Sequence, residues 1–163
     1  MRENNYAFID SQNVNLGVQE LGWRLDFRKF KIYLREKYGV STAYLFMGYI
    51  EENQKMYRIL ESFGYEIIFK RTLRNGSSIK GNCDGELILH AMIHIKDYGK
   101  ALVVSGDGDF SCLVEYLIGQ GRFRKLLIPN QQRYSALLKG FPSEYVAFLS
   151  DFHQALAYKK RTP

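Results

Sequence analysis

Four aspartates, Asp10, Asp84, Asp107 and Asp109, stand where strand-like segments hand over to helix-like ones. Their local strings are FIDSQN at 8–13, KGNCD at 80–84 and VVSGDGDF at 103–110. Carboxylates are the ligands of hard cations: Mg²⁺ and Mn²⁺ take oxygen donors, commonly a few carboxylates with water and substrate phosphate. An open α/β sheet gathers such groups in the crevice outside the carboxyl ends of its strands. If the sheet brings these segments together, the result is an acidic pocket for a divalent ion.

Each residue has a chemical and a plainer reading. Asp10 follows Tyr6, Phe8 and Ile9, at the end of a first strand. Asp107 and Asp109 follow Leu102, Val103 and Val104 after a Ser-Gly turn, where Gly106 and Gly108 permit tight backbone. Asp109 also suits the N-cap of a helix starting at Phe110. Asp84 shares a helical face with Leu87, Ile88, Ala91 and Ile95, so it points to the upper edge of the sheet. The helix dipole favours a carboxylate there too, but does not select the apolar face. Asn13 could orient Asp10 or contact phosphate, or simply shape a turn. Ser105 could donate to a carboxylate or phosphate, or be a turn serine.

Other chemistries fit less well. His90 and His94 are neighbours at i, i+4, a metal-pair spacing, but they fall off the apolar stripe and no third ligand is spaced to join them. They are expected to face solvent. Cys83 and Cys112 make neither a disulfide framework nor a zinc pattern, and nothing marks Cys83 as a nucleophile. An aspartyl phosphatase would want a second carboxylate two residues after Asp10, where Gln12 stands. GDGDF is not a dinucleotide-binding glycine pattern, and no phosphate-loop motif is present.

The positioning elements alternate. Strands are expected at 5–10, 41–50, 65–72, 100–106 and 124–130, and helices at 25–39, 53–64, 83–99, 109–121 and 131–141. Segment 143–152 reads as a last strand running into a short helix, and basic 70–82 as a mobile surface loop. The KALVVSG run at 100–106 has the continuous apolar character of a central parallel strand. Such alternation builds an α/β fold with a mostly parallel sheet and right-handed crossovers. One domain over 1–152 and a basic tail over 153–163, frayed over 157–163, are expected.

The 163 residues carry a formal net charge of +6, and 46% are apolar. That composition describes a folded globule. No run approaches the roughly 20 apolar residues of a bilayer span, and MRENNYAFID is not an apolar signal segment. A reduced, cytoplasmic setting is expected. The basic balance suits a polyanion such as RNA, or is merely a lysine-rich surface. Lys70, Arg71, Arg74 and Lys80 are candidate phosphate contacts, or a solvated loop.

Together FIDSQNV, KGNCDGELILHAM and VVSGDGDFSCLV, in this order, resemble the NYN domain, a branch of the PIN-like nuclease superfamily, and especially its LabA-like members. The resemblance covers roughly positions 5–150. It implies a Rossmann-like, three-layer α/β sandwich and an acidic, metal-dependent site associated with RNA cleavage. It maps Asp10, Asp84, Asp107 and Asp109 to that site, with Asn13 beside them. Ser11 and Gln12 depart from the usual residues before the asparagine, and His90 replaces a further helix aspartate common in LabA-like relatives. The expectation is an endoribonuclease using Mg²⁺ or Mn²⁺ on single-stranded RNA, with Asn13, Ser105 and the four loop cations binding substrate. Its rivals are a non-catalytic RNA-binding or regulatory module that keeps the pocket, and a hydrolase of small phosphates. The exposed aromatics also allow a homodimer.

Overall fold

A computed structural model describes residues 3–70, 73–75, 78–80 and 83–159, the two short segments by backbone alone. β1 (Asn5–Asp10) leads through α1 (Ser11–Glu20) and α2 (Phe27–Tyr38) to β2 (Val40–Gly48), then α3 (Gln54–Ser62) and β3 (Glu66–Lys70). A hairpin of β4 (Leu73–Asn75) and β5 (Ser78–Lys80) precedes α4 (Asp84–Ile93) and β6 (Ala101–Val104). α5 (Ser111–Gly119), β7 (Phe123–Ile128), β8 (Val146–Phe148) and the single turn α6 (His153–Leu156) follow.

Six strands form one sheet in the order β3-β2-β1-β6-β7-β8, with every neighbouring pair parallel. The chain steps from β1 outward to β3, returns to the other side of β1, and steps outward again to β8. Right-handed crossovers place the helices of these two excursions on opposite faces. Accordingly Val14, Val18, Phe30, Leu34 and Leu60 of α1–α3 share a core with Ala7, Ile9 and Leu45. Leu87 and Ala91 of α4 and Val114 and Leu117 of α5 pack with Phe8, Phe46 and Val103 on the other face. Successive strand residues feed alternate cores, as the pleat requires. The reversal lies between β1 and β6, so their carboxyl ends form the topological switch point.

Asn5 locks the opposite end of β1. Fully enclosed, it donates from Nδ2 to the Tyr38 carbonyl at 2.7 Å and accepts at Oδ1 from the Lys100 amide at 2.9 Å. One side chain thus ties the end of α2 to the entry of β6. α2 itself is capped by Asp26, which accepts from the Arg28 and Lys29 amides, and ends at Gly39 with φ +65°, a left-handed conformation suited to glycine.

Several expectations change. Ser11–Glu20 is a helix that periodicity did not reveal; Val14 and Val18 are its apolar anchors and Leu16 faces outward. Segment 131–141 is not helical beyond a 3₁₀ turn at Ala136–Leu138. Its Ser135 amide bonds to the Gly106 carbonyl at 3.0 Å, which holds Ser135 extended. Basic 70–82 contains the β4–β5 hairpin. α4 stops at Ile93, and the chain turns before Gly99. Of the tail, Leu156 is buried, Ala157 bridges to Leu25, and the Tyr158 amide donates to Arg24, while residues 160–163 lie outside the described residues. Among the described residues no helix is long and apolar enough to cross a membrane.

Candidate metal centre

β1 ends at Asp10, whose side chain caps α1 by accepting from the Asn13 amide at 3.4 Å. Asp84 is the first residue of α4, on the opposite face of the sheet. Asp107 follows β6 and caps a 3₁₀ turn by accepting from the Asp109 amide at 2.9 Å. One ligand oxygen from each of these three carboxylates lies within 4.8 Å of the others. They meet at the switch point, and all three are half-buried.

Ser105 and Asn13 join the pieces. Ser105 has no exposed surface; its Oγ donates to Asp10 Oδ2 at 3.1 Å and accepts from the Asp107 amide at 3.1 Å. Asn13 Oδ1 accepts from the Gly106 amide at 2.8 Å. Thus Ser105 and Asn13 hold the acids and the turn that carries them. Burial pushes the Asp10 carboxyl above its ordinary range; the Asn13 amide and Ser105 hydroxyl draw it down, and the neighbouring Asp107 charge raises it again. A cation between these carboxylates would relieve both the burial and the repulsion.

The donor set fits a hard divalent ion. All three donors are carboxylate oxygens within 4.8 Å of one another, close enough for one ion with oxygen ligands to sit among them. Asp109 is exposed and stands outside this three-carboxylate group. It does not cap the following helix either; the capping carboxylate of the turn is Asp107.

The remaining candidates divide. Lys70 closes β3, near enough to Cys83 for its charge to act on the thiol. Arg71 lies outside the described residues, as do the side chains of Arg74 and Lys80, although β4 and β5 carry the backbone of both. The Cys83 thiol is pushed up to about 11, first by burial and then by Glu86 and Asp10, so it is protonated at neutral pH and no nucleophile. His90 and His94 do not face solvent. Both are half-buried against β2, where His94 stacks on Tyr44 at 5.4 Å and bonds Asp97 at 3.0 Å. Burial, then His94, lowers the His90 pKa. Tyr44 and Phe46 are large enough to reach these rings although they lie beside the stripe, not on it.

Sequence reasoning missed the segment after β7. It packs on the acidic turn so closely that a Cβ at Gly108 would stand 2.2 Å from Ser135 Oγ. The glycines of GDGD were the available signal: a close neighbour explains them as well as a tight turn does.

A three-layer parallel α/β sandwich with carboxylates gathered at its switch point defines a PIN-like, Rossmann-like protein with an acidic centre. The chain belongs to the NYN domain family, whose profile matches residues 6–141. It is 29% identical over 121 residues to the "Low amplitude and bright protein LabA" of Synechococcus elongatus, covering 68% of this chain and 65% of the relative. The match therefore spans less than two thirds of that relative's length. A crystal structure of a protein of unknown function from Vibrio parahaemolyticus shares the fold, with a TM-score of 0.76 and 23% identity over 96% of this chain and 97% of that one.

Proposed function

We propose that this protein is a metal-dependent endoribonuclease. The observation that carries the reading is the convergence of Asp10, Asp84 and Asp107 on one point of an NYN domain. A divalent ion bound there, Mg²⁺ or Mn²⁺, supplies charge neutralisation at the phosphoryl oxygens and lowers the pKa of water. Asp10, Asp84 and Asp107 would hold it, and Asp109 would act from the rim through water. Ser105 and Asn13 keep the carboxylates in register. Lys70, Arg71, Arg74 and Lys80 would draw the RNA backbone toward an acidic site that otherwise repels phosphate. Single-stranded RNA is the proposed substrate, and phosphate-centred binding gives it little base preference.

The exposure of Asp109 favours a second reading, an RNA-binding module that retains an acidic pocket without cutting. Labelled single-stranded RNA incubated with Mn²⁺, Mg²⁺ or EDTA, beside Asp107→Asn, separates the two. Cleavage that needs metal and vanishes in the folded variant supports the nuclease. Binding without cleavage under every metal condition supports the module, and equal cleavage by the variant identifies a contaminant.

A further inference from the structure

We infer that the β7–β8 connection, residues 131–139, is the second wall of the nucleic-acid groove, with Arg133 and Lys139 as its phosphate contacts. This deepens the RNA-binding part of the reading above and does not depend on cleavage. The candidate cations of the sequence all fall between β3 and α4 along the chain. A strand of RNA crossing the site must also leave it on the Asp107 side, and that side is built by this connection.

The segment is pinned at three points. At its start Asn130 is buried, donating to Glu20 Oε2 at 3.2 Å and accepting from the Gln132 amide at 2.8 Å. Next to it, Pro129 fills the space that a Cβ at Gly17 would need. In its middle the Ser135 amide bonds the Gly106 carbonyl, and Ser135 lies against Gly108. At its end Leu138 is buried in the core shared by α4 and α5. A connection so held is preorganised, which lowers the ordering cost of binding.

What it leaves outward suits a polyanion. Residues 129–143 contain two cations, Arg133 and Lys139, and no carboxylate. Arg133 meets the exposed Glu20 at 3.8 Å, a solvent-screened contact. Lys139 lies 5.3 Å over the Tyr134 ring. Leu137, 67% exposed, stands beside Gly108 and so beside the Asp107 turn. An apolar side chain at that point offers a dry contact to a sugar or base, while the two cations take phosphates; neither feature serves the core.

The test is binding without turnover. Fluorescence anisotropy would follow a labelled single-stranded RNA of about 12 nucleotides, within the usual span of such sites, in EDTA and across about 50–200 mM salt. The variant is Arg133→Gln with Lys139→Gln. The control is Arg35→Gln with Lys100→Gln, two exposed cations at the amino end of the sheet that change net charge equally. Two lost phosphate contacts reduce the slope of log K against log salt by about 1.4 and weaken binding on the order of tenfold at the lowest salt. The control should leave both unchanged. Unaltered binding by the Arg133/Lys139 variant, equal losses in both variants, or no binding by the wild type would overturn the proposal. Binding that behaves as expected in a protein that never cleaves would sink the nuclease reading alone.

Discussion

Asp107→Asn should stabilise the metal-free protein. Its carboxylate oxygen lies within 4.8 Å of one from Asp10 and one from Asp84. At that separation two like charges repel by about 0.9 kcal/mol in water and about 3.5 kcal/mol at an effective dielectric of 20. Between these two limits the Asp10–Asp107 pair alone, whose repulsion also raises the Asp10 carboxyl, contributes on the order of 2 kcal/mol. Asparagine keeps the acceptor used by the Asp109 amide, so the cap survives. The lost charge at the start of the turn offsets some 0.3–1 kcal/mol. The net gain is about 1 kcal/mol, or about 2–4 °C in Tm for a chain of this size. Differential scanning fluorimetry in EDTA at neutral pH reads it directly. Saturating Mn²⁺ should invert the order, because ligand at about 100 times its Kd adds about 2.7 kcal/mol to the wild type and much less to the variant. An Asp107→Asn protein that melts lower than wild type in EDTA, and gains as much from Mn²⁺, would refute the picture of mutually repelling carboxylates waiting for a cation.

Metal affinity should also depend on pH with a midpoint above the ordinary aspartate value of about 3.9. The Asp10 pKa is raised in the fold, so its ionisation weakens the metal-free fold as pH rises through that window, while metal binding needs the ionised form and is lost as pH falls through it; calorimetric titration of Mn²⁺ at several pH values tests this, and a midpoint at or below 3.9 would contradict it. Gly108→Ala should lower metal affinity and stability together by pushing Ser135 away, whereas Gly85→Ala, with open space at its Cβ, should leave metal affinity unchanged; the pair compared by the same titration checks the close packing. Asn5→Ala, far from the acids, should cost about 1–3 kcal/mol in urea unfolding by taking the Asn5 donor from the buried Tyr38 carbonyl and the Asn5 acceptor from the half-buried Lys100 amide. A loss below about 0.5 kcal/mol would show water taking over both bonds.

The strands were legible because a parallel sheet buries both faces, so Ala101–Val104 and Asn5–Asp10 read as apolar runs with sharp ends. The acids were legible for a related reason: a carboxylate directly after such a run sits at the sheet's carboxyl edge. α1 was not, since Val14 and Val18 are its only buried apolar residues and Gly17 interrupts the pattern; its helix is secured by the Asp10 cap and the close approach of Pro129. Segment 131–141 has the opposite history. Tyr134, Leu137, Leu138 and Phe141 carry helical spacing, yet the tie from Ser135 to Gly106 and the buried Asn130 hold it in turns. A helix of this length has little stability of its own to set against tertiary contacts.

The four-aspartate pattern could not by itself say which acids would meet. Asp107 and Asp109 are two residues apart on one turn, and a turn points them differently: Asp107 inward to Asp10 and Asp84, Asp109 outward. The choice is made by Ser105, which takes the Asp107 amide on its Oγ while donating to Asp10. That one hydroxyl links the carboxyl ends of β1 and β6, the two strands between which the sheet reverses. The same reversal that divides the helices between two faces therefore brings a carboxylate from each strand to one point, and α4, crossing on the second face, supplies Asp84 from its first turn. The acidic centre is a consequence of the strand order, and its repulsion is tolerated because the clamps at Ser105, Asn13 and Asn130 hold the surrounding turns in place.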